Sequence, residues 1–153
     1  MAKVHIGYDQ HGIDGVDDEF IQFIFDVVIS LTKLSDDSEV GLVVTDDAFM
    51  KKLNKQYRNK DVPTNVLSFA YRETNPKDFV PEGDENYIGD IYISHQQVEV
   101  QAKTAKMTDK EELARLFVHG LLHLAGIHHG NKTEATEMEE LEDQALQCIL
   151  SAG

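Results

Sequence analysis

Apolar residues follow two spacings along this chain, and each spacing predicts one kind of element. Short apolar or alternating runs predict four strands, at 4–9, 39–45, 65–71 and 87–94. Apolar residues that recur every three or four positions predict five helices, at 17–34, 46–57, 95–106, 108–125 and from 131 onward. Because the strands come early and the helices dominate the second half, we expect an α+β fold, a small mixed β-sheet packed with helices.

Residues at the predicted helix ends support these boundaries. Thr45, Asp46 and Asn131 carry side chains that can cap helix N-termini, and Thr108 with Glu111 fits the capping box. Gly126 can adopt the positive φ that ends a helix. The helix that begins after Thr108 is therefore expected to stop near Gly126 and to let the chain reverse.

The composition is that of a folded protein. With 153 residues, 41% of them apolar, the chain is expected to form a single domain over 1–153. No run reaches the ~20 apolar residues of a membrane span, and residues 1–10 lack an apolar signal region, so we expect a cytoplasmic protein with no membrane partner. Cys148 is the single cysteine and lies among apolar neighbours, so we expect a buried core thiol in a reducing compartment.

The charge of the chain is unevenly distributed. Fourteen basic and 28 acidic residues give a net charge of −14, which disfavours non-specific binding of nucleic acid. Five of the basic residues nevertheless fall within ten positions that contain no carboxylate: Lys51, Lys52, Lys55, Arg58 and Lys60. This basic cluster is either a solvated helix face or a site for phosphate.

Three histidines have the spacing of a metal site. His119 and His123 are four residues apart on a predicted helix, so they share one face and lie about 6 Å apart along its axis. Gly126 ends that helix, and a third histidine follows at His128 or His129. The pattern H-x-x-x-H-x-x-G-x-x-H of extended zinc sites selects His129. We therefore expect one Zn²⁺ on a central helix; the remaining histidines, His5, His11 and His95, are expected to have ordinary structural roles.

The same segment lacks the general base of a zinc protease. Three protein ligands leave zinc one open position, which is the catalytic arrangement. Zinc proteases carry Glu directly after the first histidine, whereas this chain has Gly120. A peptidase would need another carboxylate, such as Glu112 or one from the segment 72–86. That segment is polar and contains two prolines, so we expect it to form a mobile loop near the site. RNA brings its own nucleophile, the 2′-hydroxyl, so the missing Glu favours a phosphodiester substrate.

Three segments in order resemble the signatures of the YbeY family: YRNKDVPTNVLSFAY (57–71), IGDIYIS (88–94) and HGLLHLAGIHH (119–129). That family comprises bacterial, single-strand-specific, metal-dependent endoribonucleases. The resemblance implies a role in 3′-end maturation of 16S ribosomal RNA and in ribosome quality control. It also implies contacts with a small-subunit ribosomal protein and a ribosome-assembly GTPase.

The resemblance implies roles for individual residues. His119, His123 and His129 would bind zinc, and Arg58 and His119 would be catalytic. Arg58 and Lys60 would contact substrate, together with His128 in place of the family's usual Asp. The chain also has Asn65 where the family usually has Asp, and Ala70 where a proline is common, so the rate and its pH dependence stay open.

Two other functions remain as alternatives. The first is a zinc metallopeptidase-like hydrolase, which needs the missing carboxylate. The second is a non-catalytic ribosome assembly factor whose metal only stabilises the fold.

Overall fold

A computed structural model describes residues 2–8, 12–71, 86–127 and 130–151. Its strands are β1 (Lys3–Tyr8), β2 (Glu39–Thr45), β3 (Val66–Ala70) and β4 (Tyr87–Ser94). Its helices over these residues are α1 (Asp18–Leu31), α2 (Asp47–Arg58), α3 (His95–Ala105), α4 (Asp109–Leu124) and α5 (Lys132–Ser151). The described helices include none that is both long and apolar enough to cross a bilayer.

The four strands form one mixed sheet in the order β1-β2-β4-β3. Strand β2 runs parallel to both β1 and β4, whereas β3 is antiparallel to β4. The predicted α+β architecture with a small mixed sheet is confirmed. In this order β3 is an edge strand, and one of its long sides has no strand neighbour among the described residues.

The two faces of the sheet have different neighbours. One face carries the fully buried residues Leu42, Val44, Ile91 and Ile93, and it packs on the layer formed by α1, α4 and α5. Because side chains alternate along a strand, Phe69, Asp90 and Tyr92 point to the opposite face. Helix α2 contacts β4 on that side. We call this second side the α2 face.

Helix α4 is the central helix of the fold, as predicted. It contacts α1, α3, α5, β3 and β4. Gly120 allows its close approach to the sheet, since a Cβ there would lie 3.1 Å from Cδ1 of Ile91. The glycine that replaces the protease Glu therefore has a packing role between helix and strand.

The predicted signals at the ends of α4 and α5 are confirmed. Thr108 and Glu111 form a capping box at the start of α4. Gly126 has φ +87°, and the amides of Gly126 and Ile127 donate to the carbonyls of His123 and Leu122, as in a Schellman motif. Asn131 accepts a hydrogen bond from the amide of Glu134 at 2.9 Å and caps α5.

Two of the predictions from the sequence are wrong. Helix α1 ends at Leu31, because Thr32 is extended; Leu34 still packs on the core and so continued the apolar pattern. Cys148 is exposed, because the buried stripe of α5 runs through Met138, Ala145 and Ile149. One position from Ile149 is about 100° around the helix, which turns the thiol to solvent. Most of the predicted loop, 72–85, lies outside the described residues.

Candidate metal centre

The two helical histidines point at one place. The Nε2 atoms of His119 and His123 lie 3.1 Å apart, and their rings are inclined at 81°. Two nitrogens bound to one tetrahedral zinc at ~2.0–2.1 Å are about 3.3–3.4 Å apart. The pair is therefore arranged as two ligands of one cation, which fits the predicted metal.

A carboxylate from another helix fixes the first histidine. Oε1 of Glu142, on α5, lies 2.6 Å from Nδ1 of His119. With the proton on Nδ1, that nitrogen donates to the carboxylate and Nε2 keeps its lone pair for a metal. This is the carboxylate–histidine arrangement that commonly supports bound zinc.

Sequence reasoning missed Glu142, although a signal exists. Glu142 lies four residues after Met138 and three before Ala145, both buried. It is therefore an acidic residue beside the apolar stripe of α5, where a carboxylate needs a partner. That observation could have marked it as a functional residue, but the partner is apparent only in the folded chain.

The third predicted ligand stays a prediction. His128 and His129 lie outside the described residues, so their side chains are not placed here. Over the residues that the structure does describe, no three His, Cys, Asp or Glu side chains gather closely enough to hold a metal. The described residues thus supply two of the predicted ligands, His119 and His123. The chain reverses at Gly126 and then continues to His128 and His129, the two candidates for the third ligand.

Arg58 and the histidine pair line one cavity of about 300 Å³. Its described lining residues are Arg58, Thr64, Asn65, Val66, Ser68, His119, Gly120 and His123. We call it the histidine cavity. None of these eight described residues carries a carboxylate, and among them Arg58 offers a cationic group for an anion beside the histidines.

The end of α2 determines where Arg58 lies. Arg58 is the last residue of that helix, and Asn59 follows with φ 58° in the left-handed region. The amides of Asn59 and Lys60 donate back to the carbonyls of Lys55 and Asn54. The buried side chain of Asn54 also donates to the carbonyl of Val62 at 2.9 Å, so the segment after the helix is held against it.

The other residues of the basic cluster are not among the described lining residues of the histidine cavity. Lys60 is exposed and is not among the described lining residues, so its contact with substrate stays a prediction. Lys51 lies 3.9 Å from Asp61 on the exposed surface. Lys52 and Lys55 are exposed on the same helix.

Asn65 forms part of the cavity wall. Its side-chain amide donates to Gln101 on α3 at 3.2 Å, and its carbonyl accepts from the amide of Ser94. Asn65, one of the positions that differ from the family pattern, therefore connects the start of β3 to α3 by a hydrogen bond. It leaves the wall neutral where the family usually has a carboxylate.

Glu112 is not placed to replace the protease base. Its buried carboxylate accepts two hydrogen bonds from Arg115, at 2.7 and 2.8 Å. This pairing raises the pKa of Arg115, although partial burial opposes the rise. Glu112 also lies seven residues before His119, about 10 Å along the helix axis.

The other histidines have structural environments where they are described. His5 pairs with Glu39 at 2.7 Å on the exposed surface. His95 is buried at the start of α3, and His11 lies outside the described residues.

Comparisons with known proteins show the family of this chain. The sequence profile of the family described as Endoribonuclease YbeY matches residues 7–149. Endoribonuclease YbeY of Chelativorans sp. (strain BNC1) is 42% identical over 73% of this chain and 66% of its own length. The protein of the same name from Roseiflexus sp. (strain RS-1) is 35% identical over 88% of this chain and 84% of its own.

A solved structure has the same fold. The solution structure of TM1509 from Thermotoga maritima is similar, with a TM-score of 0.66 and 26% sequence identity over 97% of this chain and 90% of that one. The matched residues include Arg58, His119, His123 and Glu142. The residues that build the histidine cavity thus lie within the matched segment, and the chain belongs to the YbeY endoribonuclease family.

Proposed function

We propose that the histidine cavity is the active site of a zinc-dependent endoribonuclease that cleaves single-stranded RNA during maturation of the small-subunit ribosomal RNA, in the cytoplasm. The observation that carries this proposal is that Arg58 lines the same cavity as the converging histidine pair. A phosphodiester needs a cationic group for its anionic oxygens beside the centre that activates it. Membership of an endoribonuclease family supports the same reaction.

His119 and His123, with His129 as the predicted third ligand, would hold the cation. When bound there, zinc supplies a Lewis acid that polarises a phosphoryl oxygen and acidifies water. Glu142 keeps Nε2 of His119 directed into the cavity through its hydrogen bond to Nδ1. The donor set, two neutral imidazoles with a supporting carboxylate, is one that zinc commonly takes.

Arg58 would bind the phosphate. Its planar guanidinium can donate two parallel hydrogen bonds to phosphate oxygens and stabilise the charge that grows on them during cleavage. Asn59 and Asn54 fix the helix end that carries it. The cavity wall contributes neutral groups from Thr64, Asn65 and Ser68, which can donate hydrogen bonds without repelling the phosphate.

The test compares Arg58→Ala, Arg58→Lys and Lys55→Ala in cleavage of a labelled single-stranded RNA by metal-loaded protein. Lys55→Ala is the matched control, because it removes one positive charge from the same helix outside the cavity. We expect Arg58→Ala to lower kcat/KM by about 100-fold, Arg58→Lys to restore a small part, and Lys55→Ala to stay near the parent. Equal cleavage by Arg58→Ala and Lys55→Ala contradicts the proposal.

The same experiment separates the alternatives. His119→Ala should abolish both zinc retention and RNA cleavage. If zinc raises the melting temperature of the parent but no RNA is ever cut, the assembly-factor alternative is correct. Chelator-sensitive digestion of a peptide library would instead support a peptidase.

A further inference from the structure

A second cavity, walled by aromatic rings, lies on the α2 face. Its volume is about 230 Å³, and its described lining residues are Leu53, Tyr57, Phe69, Asp90 and Tyr92. The ring centroids of Tyr57 and Phe69 are 4.9 Å apart, and those of Phe69 and Tyr92 are 5.8 Å apart. Tyr57 is 55% exposed, so one wall is a ring open to solvent. We call this the aromatic cavity.

The two cavities are connected through consecutive residues. Tyr57 lines the aromatic cavity and Arg58 the histidine cavity, at the end of α2. On β3, Ser68 lines the histidine cavity and Phe69 the aromatic one, because neighbouring strand residues face opposite sides. The cavities therefore lie on opposite sides of β3. Among the described residues no strand lies beyond β3, so a flexible chain can pass around this edge from one cavity to the other.

The chemistry of the aromatic cavity suits a nucleobase. Exposed and half-exposed aromatic rings stack on bases of any sequence, because every base has a π face. Asp90 accepts a hydrogen bond from the hydroxyl of Tyr87, which fixes the carboxylate, and its second oxygen can accept from the amino or imino group of a base. The same carboxylate disfavours phosphate at this position, so the phosphate belongs at Arg58 and the base at Tyr57.

The surrounding charge favours a nucleic acid over an apolar peptide. Helix α2 ends at Arg58, directly after Tyr57, so the positive charge of the histidine cavity is carried by the residue next to the aromatic ring. This charge lies in a protein whose net charge is −14. A local positive charge of this kind attracts a phosphate group.

We propose that the aromatic cavity binds one unpaired base of the RNA, next to the phosphate that Arg58 holds. This inference rests on the proposed function and adds to it a base-stacking subsite. It also gives a physical reason for a single-stranded substrate, because a base within a duplex is already stacked and cannot enter a cavity.

The test measures the affinity of the zinc-loaded protein for a short, fluorescently labelled RNA that carries 2′-O-methyl groups and so is not cleaved. The variants are Tyr57→Ala, Tyr57→Phe and Tyr8→Ala. Tyr8 is the matched control, since it is an aromatic residue 39% exposed on β1, the opposite edge of the sheet. We expect Tyr57→Ala to weaken binding about fivefold or more, and the other two variants to stay within about twofold of the parent.

A second set of RNAs, each lacking one base, identifies the contact. The RNA that lacks the base contacting Tyr57 should bind the parent more weakly than the intact RNA does. That RNA should bind Tyr57→Ala and the parent with equal affinity. The subsite is overturned if Tyr57→Ala and Tyr8→Ala bind the intact RNA with equal affinity. It is also overturned if Tyr57→Ala loses the same affinity for the intact RNA as for each of the RNAs that lack one base. If the aromatic cavity binds a protein partner instead of RNA, Tyr57→Ala and Tyr8→Ala should bind the intact RNA equally well.

The outcome is separable from that of the proposed function. A parent that cleaves single-stranded RNA, while Tyr57→Ala binds normally, keeps the nuclease and overturns the subsite. A parent that binds RNA through the base at Tyr57, but cleaves none with any divalent metal, keeps the subsite and overturns the nuclease. Circular dichroism of Tyr57→Ala should match the parent, because the ring is largely exposed.

Discussion

Removal of the Glu142 carboxylate should weaken zinc binding without unfolding the protein. Glu142 comes from α5, whereas His119 and His123 come from α4, so its contact with His119 joins the two helices at the candidate metal centre. Glu142→Ala leaves the His119 ring without the partner that fixes its orientation. We expect the metal to bind more weakly even though no metal ligand has changed.

The magnitude follows from the contact. A hydrogen bond of 2.6 Å to a carboxylate is short and charge-assisted, and such bonds are worth about 1.5–3 kcal/mol. The side chains of Glu142 and His119 are 21% and 32% exposed, so solvent competes with the bond and the lower end applies. That corresponds to roughly a tenfold weaker zinc affinity. Glu142→Gln keeps an accepting oxygen and should lose only part of this.

The assay is competition for zinc between the protein and a chromophoric chelator, which needs no activity. Glu139→Gln is the control, because it removes the same charge from an exposed position of the same helix. Urea unfolding of the metal-free variants checks that the fold is intact. If Glu142→Ala and Glu139→Gln bind zinc equally well, the carboxylate does not support the site and the reasoning is wrong.

Three further predictions concern stability. Gly126→Ala should lower the free energy of unfolding by about 1–2 kcal/mol in urea titrations. The loss comes entirely from the φ of +87°, because a Cβ at this position meets no atom within 4 Å. Gly126→Asn should be less damaging, and equal losses in the two variants would contradict this reason. Arg115→Ala should cost about 2–4 kcal/mol, since it leaves the buried Glu112 carboxylate unpaired, and Glu112→Leu in the same chain should recover much of the loss. Burial chiefly, and nearby acidic groups, raise the pKa values of Tyr8 and Tyr92 above the usual 10.0. The stability linked to these shifts is therefore present below about pH 10 and is lost as the pH rises through the raised values, which titration of tyrosinate absorbance in folded and urea-unfolded protein will check.

Much of the fold was predictable because its signals are local. The strands at 39–45 and 87–94 were predicted with the bounds that the structure has, since short apolar runs there end at polar residues. The ends of α4 and α5 were predicted from side chains that cap helices. The end of α1 was not, because no residue there signals a stop and Leu34 continues the apolar pattern in an irregular segment.

The candidate site was predictable only in part, for a different reason. The approach of His119 to His123 follows from helical spacing alone, and the structure bears it out. The meeting of Arg58 with that pair depends on the antiparallel pairing of β3 with β4, which no local pattern specifies. Glu142 depends in the same way on the packing of α5 against α4. Contacts between distant segments are where sequence reasoning ends.

The contact between Gly120 and Ile91 limits how this scaffold can change its chemistry. A side chain at position 120 would start 3.1–3.3 Å from three atoms of Ile91 and would be directed at β4. Restoring the protease motif by one exchange would thus press the new side chain against Ile91 at the wall of the histidine cavity. Conversion of this nuclease framework into a peptidase, in evolution or by engineering, would require Ile91 to be repacked or replaced at the same time.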